Sequence, residues 1–263
     1  MKTKRQGQSD IAYVIHIYYL EIVDELVYRF SRFAAISNFD FIITTNSNSK
    51  AIEIAKRFAT ISVKPKIFIH PNIGRDILTF LSLASTTILN KYRFIIKLHT
   101  KLTSLEGTRG LRWRTALFDF FICEPTVLNC FSVSSANTGI IIPSAFNIPL
   151  NRYMGKNLLK LYRLCKMKDI DLNLYLASAT FPAGSMFACS SAFIQSIAAQ
   201  QLHLLPFEQE PIEDDGYWPH VVERFFGIHN VHKNLQTLVI GDTPMNREFK
   251  YLEYYDSERS KKH

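Results

Sequence analysis

One stretch, residues 66–101, constrains the fold more than any other part of the chain. It begins with the apolar run 66–70, breaks at Pro71 to Gly74, continues in a helical pattern and ends with the apolar run 92–98. Polar residues follow both runs: Asn72, Gly74, Arg75 and Asp76 after the first, and His99, Thr100 and Lys101 after the second. The carboxyl ends of neighbouring parallel strands meet at one edge of a sheet, where ligands bind. We therefore expect both polar clusters to lie at that edge.

Strand and helix patterns also alternate on either side of this stretch. Strands are predicted at 11–19, which is expected to be central and buried, and at 39–45, 138–143 and 237–240, and helices at 20–35, 50–59, 111–123 and 191–200. Such alternation is typical of right-handed βαβ units. The sequence therefore predicts an α/β protein with three layers and a mainly parallel sheet, folded as one domain. The polar segment 102–110 is either a loop over the site or an ordinary connection.

The charge balance suits an anionic partner. The 263 residues include 31 Lys and Arg against 23 Asp and Glu, a net charge of +8. A diphosphate, an anionic membrane surface and nucleic acid all fit this charge, and so does plain solubility. No nucleic-acid motif accompanies it, so nucleic acid is not expected as a partner. The four cysteines stand singly without metal-ligand spacing, as in a cytosolic protein, and neither a secretory signal nor a membrane span is expected.

The first polar cluster stands at the predicted start of a helix. Gly74 allows the backbone to approach a ligand, Arg75 can bind a phosphate with two hydrogen bonds or pair with Asp76, and free amides at a helix N-terminus favour anions. An ordinary helix cap would use the same residues. Both interpretations stay open for this cluster taken by itself.

The second polar cluster follows a buried strand that already carries Lys97. His99, Thr100 and Lys101 can hydrogen-bond to a diphosphate or pair with its charge. The alternative is a strand end that reaches solvent. Because two such clusters are predicted at the same edge of the sheet, a binding site there is favoured over two unrelated surface features.

A third cluster, Glu213, Asp214 and Asp215, precedes a helix that contains His220 and Arg224. One of the carboxylates could accept a proton as a general base. Acidic residues at a helix N-terminus also interact well with the helix dipole and need no chemistry for that. The spacing alone does not decide between the two.

Five motifs in this order resemble the rhamnan synthesis protein F family over about residues 11–227. They are Pro71-Asn72-x-Gly74-Arg75-Asp76, the run from Lys97 to Lys101, Trp113-Arg114, the run from Ala183 to Phe187, and Asp215-Gly216 with His220 and Glu223-Arg224. Members of that family act in the synthesis of bacterial cell-surface polysaccharides and are regarded as glycosyltransferases. The resemblance implies transfer of rhamnose or another deoxyhexose from a nucleoside diphosphate sugar.

The layout is also similar to that of GT-A nucleotide-sugar transferases. This similarity implies a donor half at about 10–145, an acceptor half at about 146–245 and a charged tail at 246–263 within one domain, 1–263. The donor would bind at Asn72, Gly74, Arg75, Asp76, Lys97, His99, Thr100 and Lys101. The acceptor, a polysaccharide or lipid-linked glycan, would lie beside Trp113, Arg114, Gly184, Ser185, Met186, His220 and Arg224. Asp215 would be the catalytic base, with Asp214 and Glu213 as rivals.

No cofactor is expected, because His99-Thr100-Lys101 stands where GT-A enzymes carry an Asp-x-Asp metal motif. Mg²⁺ needs oxygen ligands, and a protonated lysine cannot coordinate it. A metal held by carboxylates such as Asp76 is the alternative. The resemblance implies a location in the cytoplasm, or at the inner face of the cytoplasmic membrane, with other polysaccharide-synthesis enzymes as further partners. The alternative to an enzyme is a non-catalytic relative that binds a glycan or a partner transferase.

Overall fold

The computed structural model describes residues 9–100, 108–212 and 215–241. Nine strands lie in these ranges: β1 (Ile11–His16), β2 (Phe39–Thr45), β3 (Lys66–Ile69), β4 (Phe94–His99), β5 (Thr138–Pro143), β6 (Asn147–Pro149), β7 (Thr180–Pro182), β8 (Phe187–Ser190) and β9 (Gln236–Ile240). The α-helices described are α1 (Val23–Phe30), α2 (Asn48–Ala59), α3 (Arg75–Ala84), α4 (Thr108–Phe121), α5 (Glu124–Ser132), α6 (Leu158–Met167), α7 (Ser191–Ala198) and α8 (Trp218–His232). None of these helices is long and apolar enough to cross a lipid bilayer.

Seven of the described strands form one sheet, in the order β3-β2-β1-β4-β8-β5-β9. β1 pairs in parallel with β2 and β4, and β2 pairs in parallel with β3. β8 runs antiparallel to both of its neighbours, and β9 is parallel to β5. β6 and β7 form a separate antiparallel pair. The mainly parallel sheet that the sequence predicts is confirmed.

The sheet is covered by helices on both faces, because successive residues of a strand point to opposite sides. Tyr13 and Ile15 of β1 pack in one core with the buried sides of α1, α2, α4 and α5. Ala12 and Val14 of the same strand pack in the other core with α3, α6, α7 and α8. The strands are nearly continuous apolar runs, as expected for a sheet buried on both faces. The predicted three-layer architecture is confirmed.

The first strand and helix are shorter than the sequence pattern predicts. β1 ends at His16 instead of residue 19, because the backbone amides of Tyr18 and Tyr19 donate to the Thr100 side chain instead of continuing the sheet. A 3-10 turn, Leu20–Ile22, then leads into α1, which ends at Phe30 instead of residue 35. The apolar periodicity therefore predicts both elements at the right place in the chain, but the predicted ranges also include residues that form turns.

Residues 180–190 contain two strands that belong to different sheets. β7 pairs with β6, and β8 enters the main sheet between β4 and β5. Gly184 and Ser185 lie between them in the left-handed backbone region, with φ of 81° and 55°. A side chain in that region costs free energy unless its surroundings hold it there. Ser185 has such surroundings, because its hydroxyl donates to the Asp76 carboxylate.

Successive strands are added on one side of β1 as far as β3, and β4 is then added on its other side. In open α/β sheets, such a reversal of strand order leaves a crevice outside the carboxyl ends of the two central strands, where ligands bind. His16 ends β1 and His99 ends β4 at neighbouring register positions. The crevice between these two strand ends is the candidate site.

Candidate functional site

Thr100 links the ends of β1 and β4, which border the crevice, through hydrogen bonds. Its hydroxyl oxygen accepts hydrogen bonds from the amides of Tyr18, at 3.0 Å, and Tyr19, at 3.1 Å. Its own amide donates to the carbonyl of His16 at 2.9 Å, and the residue is only 3% exposed. Thr100 therefore shapes the crevice by holding the segment after β1. Its predicted contact with a donor stays a prediction.

Two tyrosines that the sequence patterns did not single out lie at the crevice. Tyr18 and Tyr19 follow β1 after Ile17, and their rings meet edge to face with centroids 4.9 Å apart. The Lys50 ammonium lies 4.2 Å from the centre of the Tyr18 ring and donates to the Tyr18 carbonyl at 2.6 Å. Asn72 approaches the Tyr18 hydroxyl at 3.5 Å. An aromatic surface beside a cation suits a ligand with both a ring and negative charge.

The sequence carried a signal for these residues that the predicted strand 11–19 obscured. Two aromatic residues directly after a buried apolar run stand at a strand end, where a sheet presents its ligands. Lys50 was assigned only to a helix, because its contact with Tyr18 spans 32 residues and leaves no local pattern.

Lys97 is buried and is bound to two segments that are distant in sequence. Its ammonium donates to the Asp76 carboxylate in α3, to the Ser185 carbonyl at 2.7 Å and to the Ser185 hydroxyl at 3.3 Å. The Ser185 hydroxyl closes the triangle by donating to Asp76 at 2.5 Å. The Lys97 side chain is only 1% exposed. This triad of Asp76, Lys97 and Ser185 joins α3, β4 and the β7–β8 turn beneath the crevice.

The groups around Asp76 stabilise its ionised form. Burial by itself would raise the pKa of Asp76. The positive charges of His99 and Lys97, with hydrogen bonds from Lys97 and Ser185, outweigh burial and hold that pKa well below its usual range. Asp76 is therefore ionised, and its charge balances that of Lys97. A diphosphate would have to displace Asp76 before it could contact Lys97, so the predicted donor role of both residues stays a prediction.

The surroundings of Asp76 do not fit a divalent metal. One of its carboxylate oxygens accepts from both Lys97 and Ser185, so a bound ammonium occupies the position a cation would need. Within the described ranges, no group of three or more His, Cys, Asp or Glu side chains is arranged to hold a metal ion. Lys101 is the last residue of the segment His99-Thr100-Lys101, which stands in place of a metal motif, and it lies outside the described residues.

Two histidines flank the triad at the strand ends. His99 Nε2 lies 2.8 Å from the Gly184 carbonyl, which can only accept, so this nitrogen carries the proton. His16 Nδ1 lies 2.9 Å from the Thr44 hydroxyl. Burial lowers the pKa of His16 from 6.5 to about 4, so His16 is neutral near pH 7. The gap lined by His16, Thr44, Asp76 and Lys97 has no room for a water molecule.

Arg75 turns away from Asp76 and toward the segment before α8. The backbone can do this because Gly74 and Arg75 both have positive φ, 64° and 53°. The guanidinium donates to Glu210 at 2.8 Å, to the Ile212 carbonyl at 3.1 Å and to His220 Nε2 at 3.2 Å. Of the two partners the sequence left open, Asp76 is not the one that Arg75 contacts, and binding of a phosphate stays a prediction. Arg75, which is predicted on the donor side, contacts His220, which is predicted on the acceptor side.

Asp215 anchors the acidic loop to the N-terminal end of α6. Its carboxylate accepts from the Lys156 amide at 2.8 Å and from the Asn157 side chain. Arg224 lies 3.8 Å from the same carboxylate and donates to the carbonyl of Tyr153 at 2.9 Å. The Asp215 side chain is still 29% exposed. Its role as a base stays a prediction, and its rivals Glu213 and Asp214 lie outside the described residues.

The remaining predicted acceptor residues do not lie together. Trp113 packs on the β7–β8 turn, since a Cβ on Gly184 would come within 2.7 Å of its indole nitrogen. Arg114, next in sequence, pairs instead with Glu25 of α1 at 3.1 Å, because adjacent helical residues point in different directions. Met186 is 1% exposed and packs in the core. The structure thus brings Trp113 and Gly184 together, pairs Arg114 with α1 and buries Met186 in the core.

Residues 1–234 match the family described as rhamnan synthesis protein F. The chain belongs to that family. It is also 28% identical over 247 residues to the uncharacterized protein WxcX from two strains of Xanthomonas campestris pv. campestris, one of them strain B100. The alignment covers 90% of this chain and 34% of those proteins, so the chain spans about a third of the length of the curated relatives it matches.

Among solved structures, this rhamnan synthesis protein F family member is similar to a cytidylyltransferase from Leptospira borgpetersenii serovar Hardjo-bovis (strain JB197). The two are 10% identical with a TM-score of 0.43. The match covers 89% of this chain and 77% of the cytidylyltransferase.

Proposed function

We propose that this chain is a GT-A-type glycosyltransferase that moves a sugar from a nucleoside diphosphate to a polysaccharide or lipid-linked glycan. The crevice between β1 and β4 supports this most directly, because it lies at the reversal of strand order and is bordered by Tyr18, Tyr19 and Lys50. Membership of the rhamnan synthesis protein F family supports a role in polysaccharide synthesis. A deoxyhexose such as rhamnose is the proposed sugar.

The donor would bind along the edge of the sheet. A nucleobase can pack against the exposed parts of Tyr18 and Tyr19, and the diphosphate can be held by Lys50 and by Lys101. The triad beneath the crevice would position these groups, because it fixes α3 and β4 relative to each other. In this proposal Asp76, Lys97 and Ser185 support the site from below, while their sequence-predicted contacts with the donor remain untested.

The reaction needs a base on the acceptor side. The bond between the anomeric carbon and the diphosphate oxygen breaks, and the acceptor hydroxyl oxygen forms the new glycosidic bond. The hydroxyl proton passes to a carboxylate, and the nucleoside diphosphate leaves with the electron pair of the broken bond. We assign the carboxylate to Asp215, with Asp214 and Glu213 as rivals. Arg224 lies 3.8 Å from Asp215, within ion-pair distance of that carboxylate.

We propose that the reaction does not use a divalent metal. The support is the ammonium of Lys97 beside Asp76, which removes this carboxylate from the set of ligands a metal could use. Lysine side chains would then neutralise the leaving diphosphate.

A second candidate is a non-catalytic relative that binds a glycan or a partner transferase. The observation that favours it is the engagement of Asp76, Lys97 and Asp215 in contacts within the chain. Such a protein would keep the fold and lose turnover.

Calorimetry with a panel of nucleoside diphosphate sugars, followed by a turnover assay, tests the proposal. We expect at least one donor to bind, and Tyr18→Ala to weaken its binding by roughly 10-fold or more, the loss of one aromatic contact. Tyr28→Ala, at a tyrosine of α1 that is 65% exposed, is the matched control and should bind normally. Donor binding without turnover on any glycan acceptor would favour the non-catalytic relative. No binding across the panel would overturn the proposed donor site.

A further inference from the structure

Helix α6 presents apolar side chains to solvent. Its inner side packs in the core through Leu161, Leu164 and Cys165, each fully buried. Its outer side should then be polar, as on an ordinary surface helix. Instead Leu158, Leu159 and Tyr162 are 49%, 61% and 50% exposed. They are neighbours on one side of the helix, because residues three and four positions apart lie side by side.

The same surface is strongly basic. Residues 152–168 contain six Lys and Arg and no Asp or Glu: Arg152, Lys156, Lys160, Arg163, Lys166 and Lys168. Lys160 pairs with Glu208 at 2.7 Å, and Lys168 donates to the Gln200 carbonyl at 2.6 Å. Arg163 and Lys166 are exposed, and in the described part of the chain no carboxylate lies within ion-pair distance of either. Exposed leucines and cations therefore alternate around the outer side of α6.

We propose that the outer side of α6 docks onto an anionic membrane surface. Basic residues attract acidic lipid headgroups, and Leu158, Leu159 and Tyr162 can enter the boundary between headgroups and acyl chains. A bilayer interacts favourably with both the basic and the apolar side chains, whereas a nucleic-acid backbone would bind only the basic ones. The charge of the surface selects this occupant over an apolar protein partner.

The position of α6 agrees with this assignment. Its N-terminal end is tied to the loop that carries Asp215, through the Lys156 amide and the Asn157 side chain. Lys160, one turn further along, is tied to Glu208 of the same region. Docking through α6 would thus bring the proposed acceptor side close to the lipid surface. Docking through α6 does not require sugar transfer, and membrane binding can be measured without donor or acceptor.

Sedimentation with lipid vesicles tests the proposal on the intact chain. We expect binding to vesicles of phosphatidylethanolamine mixed with phosphatidylglycerol, weakened by added salt, and little binding to vesicles of phosphatidylcholine alone. The double variant Arg163→Glu, Lys166→Glu should lower binding roughly 10-fold or more. Leu159→Ser should lower it as well, because it removes an inserted apolar side chain.

Matched controls lie on the opposite face of the sheet. Lys56 of α2 and Lys64 are exposed, so Lys56→Glu with Lys64→Glu changes the net charge equally at another surface. Ile52, 72% exposed on α2, provides Ile52→Ser as the apolar control. Equal loss of binding in test and control variants would show attraction by net charge only and overturn the proposal. Absence of binding to acidic vesicles would also overturn it, and a change in oligomeric state in the α6 variants alone would then assign this surface to a protein contact.

Discussion

Lys97 donates a hydrogen bond to Asp76 in the interior of the protein, and this pair joins the central strand β4 to the first turn of α3. Ser185 completes the contact from the β7–β8 turn. Both charges are shielded from solvent, so each depends on the other. The pair therefore couples the stability of the protein to the geometry of the crevice above it.

Removing one partner of this pair should be costly. Lys97→Met leaves Asp76 buried without its cation, and we expect a loss of about 3–5 kcal/mol in the free energy of unfolding. The double variant Lys97→Met, Asp76→Leu removes both charges and should recover much of that loss. Urea denaturation of the two proteins measures the difference. A loss below about 1 kcal/mol in Lys97→Met would show that the pair contributes little.

Acid should destabilise the protein through His16. Its pKa is lowered to about 4 by burial, whereas an unfolded histidine has a pKa near 6.5. Below about pH 6.5 the unfolded state therefore binds more protons, and stability falls until the pH reaches about 4. The expected loss from His16 is about 2 kcal/mol at about pH 5. Urea denaturation near neutral pH and at about pH 5 measures it.

His16→Gln tests the assignment of that loss. This variant removes the titrating group, so its stability should fall less between the two pH values. His229, whose pKa burial also lowers to about 4, contributes equally in both proteins and sets the background. The same decrease in the variant as in the unsubstituted protein would assign the acid sensitivity to other groups.

Gly184 should not tolerate a side chain. Its φ is 81°, and an added Cβ would lie 2.7 Å from the Trp113 indole nitrogen. We expect Gly184→Ala to lower the free energy of unfolding by about 1–3 kcal/mol. Gly241→Ala, where a Cβ would meet nothing within 4 Å, is the control and should have little effect. Thermal unfolding of both variants measures this, and equal midpoints would contradict the predicted clash.

Asp215→Asn should lower turnover by about two orders of magnitude or more and leave donor affinity largely intact, because a base acts on the acceptor. Asp215 also anchors its loop, so the loss of turnover needs a control. Asn157→Ala loosens the same anchor without changing the carboxylate and should retain more activity. Near-normal turnover in Asp215→Asn, with a collapse in Asp214→Asn or Glu213→Gln, would move the role to a neighbour.

Chelation tests the proposed absence of a metal. If lysine side chains neutralise the leaving diphosphate, turnover should survive EDTA, while Lys101→Ala should weaken donor binding measured by calorimetry. Lys91→Ala is a suitable control, because Lys91 pairs with Asp40 at the start of β2, at the opposite end of the strand from Thr44. Activity that is lost in EDTA and restored by Mn²⁺ or Mg²⁺ would show that carboxylates hold a metal.

The amino-acid sequence by itself determined the layers and the edge at which the site forms. Apolar runs of β-branched residues separated by amphipathic helices admit few arrangements other than a mainly parallel sheet between two helical layers. Asn72 after β3 and His99 and Thr100 at the end of β4 lie at one end of that sheet, as predicted, because strand direction follows from chain order in βαβ units. These features depend on local spacing, which a sequence displays directly.

The partners of the charged residues were decided only by the tertiary structure. Asp76 lies next to Arg75 in sequence, yet it pairs with Lys97, while Arg75 pairs with Glu210, 135 residues away. Left-handed backbone at Gly74 and Arg75 turns the two side chains in different directions. A charge attracts every opposite charge, so sequence spacing cannot choose among distant partners. For Asp76, burial decides the partner. It removes water from the pair that Asp76 forms with Lys97, whereas charges at the surface stay screened by water and salt.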